Sequence, residues 1–443
     1  MVWAPSQFFP MGLVVLAFAA SVAAKAPPLV PLAATEPTGR LESPTLEELV
    51  GEALSNNPEI RALSAGVDAA RGEVTAAKTW QNPELSIVPK LTHTRGQDGR
   101  SSNEFDGAYG FAQTIEFPGK RALRRALAER NVETRELAWE GFRNELAIQV
   151  RSAFYRLLMA PQLVSFEERR LMLAKTFVAA ARKKVDAGFA PEFEATKAEV
   201  EVVAAQKAVR EAHARHLAAQ AALNTLLGRQ PTESLTVTGA LTADVALLDE
   251  ATLLAEAQAR NPGLRVQATE VERARLGLQL VRRSRLPDFT IGPSYETEPD
   301  TQFYGLGLSL PLPLWDQKKG EIATAEAEER RASAELDKLR QEVLRDVLTS
   351  SQELAAAKEG LSYYTPELLA KLRGALDAAA GTYAEGRTTL LVFLETQRTY
   401  FNTQADYFET LQKLYDARAT LEAAVGVPLA ELRTPPAERG PKK

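Results

Sequence analysis

The chain has 443 residues, of which 45% are hydrophobic and 25% charged, and its formal net charge is −5. Its acidic and basic residues are mixed along the sequence, which excludes the clustered basic surface that nucleic-acid binding requires. The absence of cysteine excludes disulfides, thiolate metal sites, cysteine nucleophiles and a lipidated N-terminal cysteine.

The N-terminal segment has the pattern of an export signal. Residues 11–24, MGLVVLAFAASVAA, form an apolar stretch that is too short to span a membrane as a helix. We therefore expect 1–24 to be a signal peptide and the Pro/Ala-rich 25–44 to be an extended lead-in. No later stretch reaches the roughly eighteen apolar residues of a membrane helix. Entry of the mature chain into a membrane would therefore require a β-barrel.

The rest of the chain contains one unit twice. Matched positions are 204 residues apart before the predicted hairpins and 198 apart after them. The matched pairs are Asn57 and Asn261, Pro83 and Pro287, Gly188 and Gly386, and Gly228 and Gly426. A duplicated unit keeps a constant register, whereas chance matches scatter. We predict two structural repeats, 45–240 and 241–428, with a six-residue deletion in the second hairpin, and a flexible C-terminal tail at 429–443.

Each repeat is predicted to contain short helices, a β-hairpin, a very long helix, a glycine turn and a return helix. In the first repeat the hairpin, long helix and return helix are expected at about 84–116, 119–187 and 191–227. In the second they are expected at about 288–311, 316–385 and 388–425. Each long helix would extend roughly 100 Å at the helical rise. Pro161 in the first long helix and Pro366 in the second are each expected to kink the helix or to open one of its turns.

The predicted strands alternate between an apolar face and a small or polar face. Phe105, Tyr109 and Phe111 share one face of the second strand, and Asp106 and Ala108 share the other. A period of two with one apolar face predicts half-buried strands, and it also suits a transmembrane barrel.

Four strands cannot close a membrane barrel, because the smallest such barrels have about eight strands. An open edge in lipid would leave backbone groups without hydrogen bonds. Two chains would supply eight strands and a filled interior, and three chains would supply twelve strands and a lumen. The alternative is a soluble coiled-coil rod, which the export signal, the alternation and the duplication disfavour.

These features resemble the TolC-type outer-membrane efflux family over nearly all of the mature chain. The resemblance lies in the paired Asn-Pro openings, in QTIEFPGKRALRR at 113–125, and in the tip segments at 185–200 and 383–400. IEFPGKR is most similar to the heavy-metal branch, which works with cobalt-zinc-cadmium pumps.

The resemblance implies a mainly α fold with a small β part. A homotrimer would form a twelve-stranded transmembrane β-barrel, four strands per chain, above a long α-helical barrel. It would be a passive exit duct in the outer membrane of a Gram-negative bacterium, with no cofactor. A periplasmic adaptor would open it, and an inner-membrane pump of the RND type would drive transport of metal cations or small toxic compounds.

The resemblance also assigns roles at the two tip turns. The adaptor-docking residues would be Gly188, Phe189, Gly386, Thr388, Thr389 and Leu390. The periplasmic gate would contain Tyr383, Glu194 and Glu395, whose carboxylates would form rings that attract cations. A solvated helix face is the alternative for the two glutamates.

Basic residues gather where helices meet strands. The cluster comprises Lys120, Arg121, Arg124, Arg125, Arg282, Arg283, Arg285, Lys318 and Lys319. Because cations at a helix N-terminus oppose its dipole, another partner is expected to retain them. We predict contact with inner-leaflet phosphates of the outer-membrane lipid, and simple solvated charge is the alternative.

Two other classes of function remain as alternatives. A periplasmic coiled-coil adaptor would need one helical hairpin beside a lipoyl-like domain, whereas this chain has two hairpins and no such domain. A metal site at His213 and His216 lacks an evident third ligand, and the sequence has no P-loop, nucleophile elbow or HExxH motif. The sequence does not specify the cargo.

Overall fold

The computed structural model describes residues 44–95, 101–241, 245, 247–298 and 301–432. The predicted signal peptide and most of the predicted lead-in and C-terminal tail lie outside these residues. The described chain is mainly helical with one small antiparallel sheet, which confirms the predicted fold class at that level.

The same order of elements occurs twice. The first repeat contains α1 (Leu46–Asn56), α2 (Pro58–Lys78), β1 (Glu84–Arg95), β2 (Ser101–Ile115), α3 (Lys120–Asp186) and α4 (Glu192–Leu227). The second contains α5 (Glu250–Arg260), α6 (Pro262–Ser284), β3 (Phe289–Glu298), β4 (Thr301–Ser309), α7 (Lys319–Ser362), α8 (Pro366–Ala384), α9 (Leu390–Val425) and α10 (Leu429–Leu432).

The two long helices respond differently to their prolines. The 67 residues of α3 continue without interruption through Pro161. The helix predicted at 316–385 opens before Pro366, as expected for that proline, and is therefore two helices, α7 and α8. Thr365 adopts an extended conformation before Pro366, and its side chain accepts a hydrogen bond from the Leu368 N–H. A threonine cap therefore allows a new helix to start at Pro366, whereas Ala160 offers no cap before Pro161.

The Asn-Pro pairs are the anchors of each repeat. The amides of Asn57 and Asn261 are buried, and each caps the helix that starts at the following proline. The Asn57 amide also donates to the Leu226 carbonyl at 3.0 Å, and the Asn261 amide donates to the Ala424 carbonyl at 2.8 Å. Each asparagine thus joins the start of one helix to the end of the return helix in its own repeat.

Replacing Asn261 with alanine is expected to lower the free energy of unfolding by about 2 kcal/mol, since a helix cap is lost and the Ala424 carbonyl is left unsatisfied. Chemical unfolding of the purified protein, followed by circular dichroism, measures this change. Asn402→Ala is the matched control, because Asn402 is exposed on α9. Equal losses in the two variants would contradict the anchoring role.

The sheet joins the two repeats side by side. Its order is β1-β2-β3-β4, and every pairing is antiparallel, with Tyr109 opposite Tyr295 at the boundary between the repeats. The 12 and 15 residues of β1 and β2 exceed the 10 and 9 of β3 and β4, so the second hairpin is the shorter one. Strands β1 and β4 are left as the two edges.

One face of the sheet carries large apolar side chains that remain exposed. They are Leu85, Ile87, Leu91, Phe105, Tyr109, Phe111, Tyr304, Leu306 and Leu308. The opposite face is mostly small or polar, although Val88 and Phe303 are also exposed on it, and Lys90 of β1 forms an ion pair there with Glu296 of β3. Exposed apolar patches of this size mark surfaces that contact another protein or lipid.

The main core lies between the long helices. Leu146 and Phe154 of α3 are buried there with Leu223 of α4, Leu354 of α7 and Leu414 of α9. The short helices α1 and α5 add Leu49 and Leu253 to the same cluster. None of the described helices combines the length and the apolarity that crossing a membrane requires.

Candidate functional site

The tip turns are built identically in both repeats. Gly188 and Gly386 follow the ends of α3 and α8 with φ angles of 73° and 74°. At the first turn the Phe189 N–H donates to the Lys184 carbonyl at 2.8 Å, and the Arg387 N–H makes the equivalent bond at the second. A Cβ at either glycine would meet no atom within 4 Å. Glycine is therefore required at both turns by the left-handed backbone conformation and not by close packing.

An aromatic cluster lies just behind the tips and contains side chains from both repeats. Tyr383 is only 3% exposed, and its ring lies 5.2 Å from that of Phe177 and 5.7 Å from that of Phe393. The rings of Phe177 and Phe393 stack at 4.6 Å. Ring contacts of this kind stabilise beyond simple area burial, so the two tips are packed together.

Polar contacts reinforce this packing. The Tyr383 hydroxyl donates to the Glu194 carboxylate at 3.1 Å, which joins α8 to α4. The Lys184 ammonium of α3 lies 3.6 Å from the centre of the Tyr383 ring and donates to the Tyr383 carbonyl. We name these three residues the tip latch. Burial, and then the charge of Glu194, raises the pKa of Tyr383 to about 12, so the hydroxyl stays a hydrogen-bond donor at physiological pH.

The structure brings together two of the three residues predicted for the gate. Tyr383 and Glu194 are hydrogen-bonded, whereas Glu395 is exposed on α9, and its carboxylate forms no ion pair among the described residues. Sequence reasoning missed Lys184, Phe177 and Phe393. The aromatic residues near each tip glycine were visible, but no sequence signal connects positions about 200 residues apart across two repeats.

Replacing Lys184 with methionine is expected to weaken the tip latch, since it removes a cation over the Tyr383 ring and a donor to the Tyr383 carbonyl. The expected loss is about 1 kcal/mol, equivalent to a severalfold increase in opening of the tips. Hydrogen exchange of residues 176–200 and 376–395 measures it. Lys183→Met is the control, because the neighbouring Lys183 is exposed. Unchanged exchange in Lys184→Met would refute the contact's importance.

The residues predicted to dock an adaptor differ in accessibility. Phe189 is 87% exposed at the first tip. At the second tip Thr389 is exposed as the N-cap of α9, but Leu390 is buried. The neighbouring Leu391 and Val392, which were not predicted, are exposed instead.

Most of the predicted basic cluster has partners within the chain. Arg124 pairs with Glu116, Arg125 with Glu129, Arg282 with Glu326, and Lys318 with Asp316 and Glu321. Arg121 lies 4.1 Å above the Trp80 ring, and Arg283 donates to the Pro118 carbonyl. Most cations at the helix–strand junctions therefore have partners within the chain.

The junction between the two repeats holds the most buried of these cations. Lys120 pairs with Asp288 at 2.8 Å, and the Phe117 N–H donates to the same carboxylate at 2.7 Å. Burial would raise the pKa of Asp288, but these hydrogen bonds lower it below its usual value. We name Lys120 and Asp288 the junction ion pair.

The described residues contain no group of three or more His, Asp or Glu side chains that could hold a metal ion. His213 instead lies 3.6 Å from Glu168. The candidate site therefore consists of the tips and the junction.

The family model described as outer membrane efflux protein matches residues 49–229 and 253–427. The cobalt-zinc-cadmium resistance protein CzcC of Cupriavidus metallidurans is 27% identical over 425 residues, which cover 95% of this chain and 99% of that protein. The outer membrane protein TolC of Salmonella enteritidis is 21% identical over 412 residues, which cover 86% and 80%.

Solved channels share the fold. The outer-membrane channel OprN has a TM-score of 0.73 at 18% identity, covering 87% of this chain and 90% of that one. The MtrE channel of Neisseria gonorrhoeae in its open state has a TM-score of 0.70 at 16% identity, with the same coverage. Because one family model spans both repeats, this chain belongs to the outer membrane efflux protein family.

Proposed function

We propose that the chain is one protomer of a homotrimeric exit duct in the outer membrane. The observation that carries this proposal is the four-stranded sheet with an exposed apolar face and two free edges, β1 and β4. In lipid, those edges require partners, because unpaired backbone groups cost several kcal/mol each. Three copies would supply twelve strands, enough for a barrel with a lumen.

The small face of the sheet suits the inside of such a barrel. Gly292, Ser294, Gly305 and Gly307 lie on this face, opposite the apolar side chains. Small residues leave space for a lumen, while the leucines and aromatic residues on the outer face would contact lipid. The long helices, about 100 Å at the helical rise, would continue the duct into the periplasm as an α-helical barrel.

The tips would form the periplasmic end of the duct. In this proposal the tip latch holds that end closed, and Glu194 and Glu395 add negative charge that favours cations over anions. A periplasmic adaptor would dock on the exposed tips at Phe189 and Thr389 and shift the equilibrium towards the open state. An inner-membrane pump of the RND type would supply the energy.

The proposed cargo is metal cations. CzcC is named a cobalt-zinc-cadmium resistance protein, and further relatives are named for nickel and cobalt resistance. The carboxylates of Glu194 and Glu395 near the tips are compatible with cation passage. The alternative, a periplasmic adaptor, is not favoured, since the family model and the solved channels span nearly the whole described chain.

The predicted contact with lipid phosphates is proposed here only for the exposed residues of the basic cluster. Arg125, Arg282 and Arg285 have substantial exposed surface near the end of the sheet. We propose that these three guanidinium groups contact inner-leaflet phosphates, in addition to their contacts within the chain.

Assembly and cargo are tested separately. The full chain is expressed in a Gram-negative host, and outer-membrane fractions are examined for a heat-resistant trimer and for conductance in planar bilayers. A water-soluble monomer that needs no detergent would overturn the duct. A deletion strain that is sensitive to zinc, cobalt and cadmium would support metal export, whereas unchanged metal tolerance together with new drug sensitivity would replace only the cargo.

A further inference from the structure

The elements at the two ends of the chain are equivalent to the elements that meet where the two repeats join, so the same contact could form between neighbouring chains. The helices next to the sheet follow the order α2-α3-α6-α7, in which α3 and α6 meet at the boundary between the repeats. The strands follow the corresponding order β1-β2-β3-β4. In the row of helices and in the row of strands, the second repeat continues the first. At one end of the chain α7 and β4 are therefore equivalent to α3 and β2. At the other end α2 and β1 are equivalent to α6 and β3.

Equivalent residues can be assigned at both ends. Lys120 is the first residue of α3 and follows Gly119 in a left-handed conformation, and Lys319 is the first residue of α7 and follows Lys318 in the same conformation. Among the described residues, Lys318 is the only non-glycine residue with a positive φ angle. Lys120 and Lys319 are 199 positions apart, one more than the later matched pairs, so the shared left-handed residue and helix start, rather than the spacing, make Lys319 the counterpart of Lys120.

The counterpart of Asp288 is Glu84. Asp288 directly precedes β3 and Glu84 opens β1, and the two are 204 positions apart, the offset that relates Asn57 to Asn261. Both ends of the equivalent pair are accessible. Glu84 and Lys319 are exposed, and within the described residues neither side chain forms an ion pair, while Asp316 is occupied by Lys318.

The side-chain alternation agrees with this register. Transferring the β2–β3 register, in which Tyr109 lies opposite Tyr295 and Gln113 opposite Ile291, to the β4 end and β1 places Leu308 opposite Leu91 and Leu312 opposite Ile87. All of these side chains lie on the apolar face or continue its alternation. A shift by one residue would place leucines opposite the polar face, which the period-two pattern disfavours.

We propose that Lys319 of one copy pairs with Glu84 of the next copy, and that this repeats the junction ion pair around the ring. The inference rests on the proposed homotrimer. Strands β1 and β4 are separated by three strand spacings, about 14 Å, so the pair is not formed within one chain. In a closed ring every Lys319 would have a Glu84 of the neighbouring copy as its partner.

Charge reversal tests the pair. In Glu84→Lys and in Lys319→Glu, like charges meet at all three boundaries, so the yield of heat-resistant trimer is expected to fall by about tenfold. Combining the two substitutions restores opposite charges and should return the yield towards that of the natural chain. Additive losses in the double variant would overturn the proposal. Glu328→Lys, in an exposed position further along α7, controls for the change in net charge.

Cross-linking tests whether positions 84 and 319 of neighbouring copies lie close together, independently of how much the ion pair stabilises the trimer. Because the chain has no cysteine, Glu84→Cys/Lys319→Cys introduces the only thiols. The reagent is the shortest bis-maleimide that joins the thiols of Lys120→Cys/Asp288→Cys within one chain. It is expected to produce covalent dimers and trimers from Glu84→Cys/Lys319→Cys and none from Glu84→Cys/Glu328→Cys, whose α7 position lies about 13 Å further along the helix.

The outcomes separate the two proposals. A heat-resistant trimer in which Glu84→Cys/Lys319→Cys gives no more cross-linked product than Glu84→Cys/Glu328→Cys would overturn the ion pair and leave the duct intact. A chain that forms no oligomer, even without any substitution, would overturn the proposed function itself.

Discussion

Replacing Tyr383 with phenylalanine is expected to raise the ratio of open to closed channels by about tenfold for each tip latch broken. The substitution removes only the hydroxyl that donates to Glu194 at 3.1 Å, and the ring contacts with Phe177 and Phe393 remain. A hydrogen bond to a charged acceptor stabilises by about 1.5 kcal/mol or more, which corresponds to a tenfold change in an equilibrium constant. Single-channel conductance in planar bilayers measures this change.

The matched control uses the same chemistry elsewhere. The Tyr363 hydroxyl also donates to a carboxylate, that of Glu359 at 2.7 Å, but both residues belong to one helical end and are exposed. Tyr363→Phe should leave the conductance unchanged. Glu194→Gln should resemble Tyr383→Phe, because an amide is a weaker acceptor than a carboxylate. If Tyr363→Phe opened the channel as much as Tyr383→Phe, the tip latch would not be the closing contact.

The pH dependence has a defined sign. The pKa of Tyr383 is raised from its ordinary value near 10 to about 12, so the folded closed state holds the proton more tightly than a free tyrosine does. The stabilisation is therefore complete below about pH 10 and is lost as the pH rises towards 12. Natural channels should open in this alkaline range, and Tyr383→Phe channels should show no such transition.

The sequence predicted the architecture because the duplication carries long-range information. The spacing shared by Asn57 and Asn261, and by Gly188 and Gly386, defines equivalent elements without any structure. The residues that share each strand face could be predicted from the alternation of apolar and polar residues, since successive side chains of any strand point to opposite faces. These features depend on local rules or on repetition, and both are visible in one sequence.

The remaining features depend on contacts that no local rule specifies. Pro366 interrupts a long helix and Pro161 does not, because only the former has a threonine that caps the new helix. Lys184 reaches Tyr383 from the other repeat, so its role depends on how two helices pack. Glu395 is an acid at the position expected for a charged ring, but it is exposed on α9 and makes no contact with the tip latch among the hydrogen bonds and ion pairs of the described residues.

Replacing Gly426 with alanine is expected to destabilise the protein by about 3 kcal/mol or more. Gly426 ends α9 with a φ angle of 87°, a conformation that costs a residue with a Cβ about 1 kcal/mol. Its Cβ would also lie 2.6 Å from Cδ of Pro262, 3.0 Å from Cα of Asn261 and 3.1 Å from the Arg260 carbonyl oxygen. These atoms belong to the backbone or to a proline ring, so no side-chain rotation relieves the clash.

The displaced segment is the anchor of the second repeat. Moving it away from Gly426 would break the hydrogen bond from the Asn261 amide to the Ala424 carbonyl, which adds to the cost. The first repeat has the same arrangement, since a Cβ on Gly228 would lie 2.8 Å from the Asn56 carbonyl oxygen. Close packing of the return helix against the Asn-Pro step therefore explains why both repeats have glycine there.

Gly386→Ala is the control that separates packing from backbone strain. Gly386 has a similar φ angle of 74°, but a Cβ there would meet no atom within 4 Å, so only about 1 kcal/mol should be lost. Chemical unfolding in detergent, followed by circular dichroism, measures both variants. Similar losses in the two would mean that the left-handed conformation alone requires glycine. A much larger loss in Gly426→Ala would show that the close approach to Pro262 and Asn261, in addition to the left-handed conformation, requires glycine at this position.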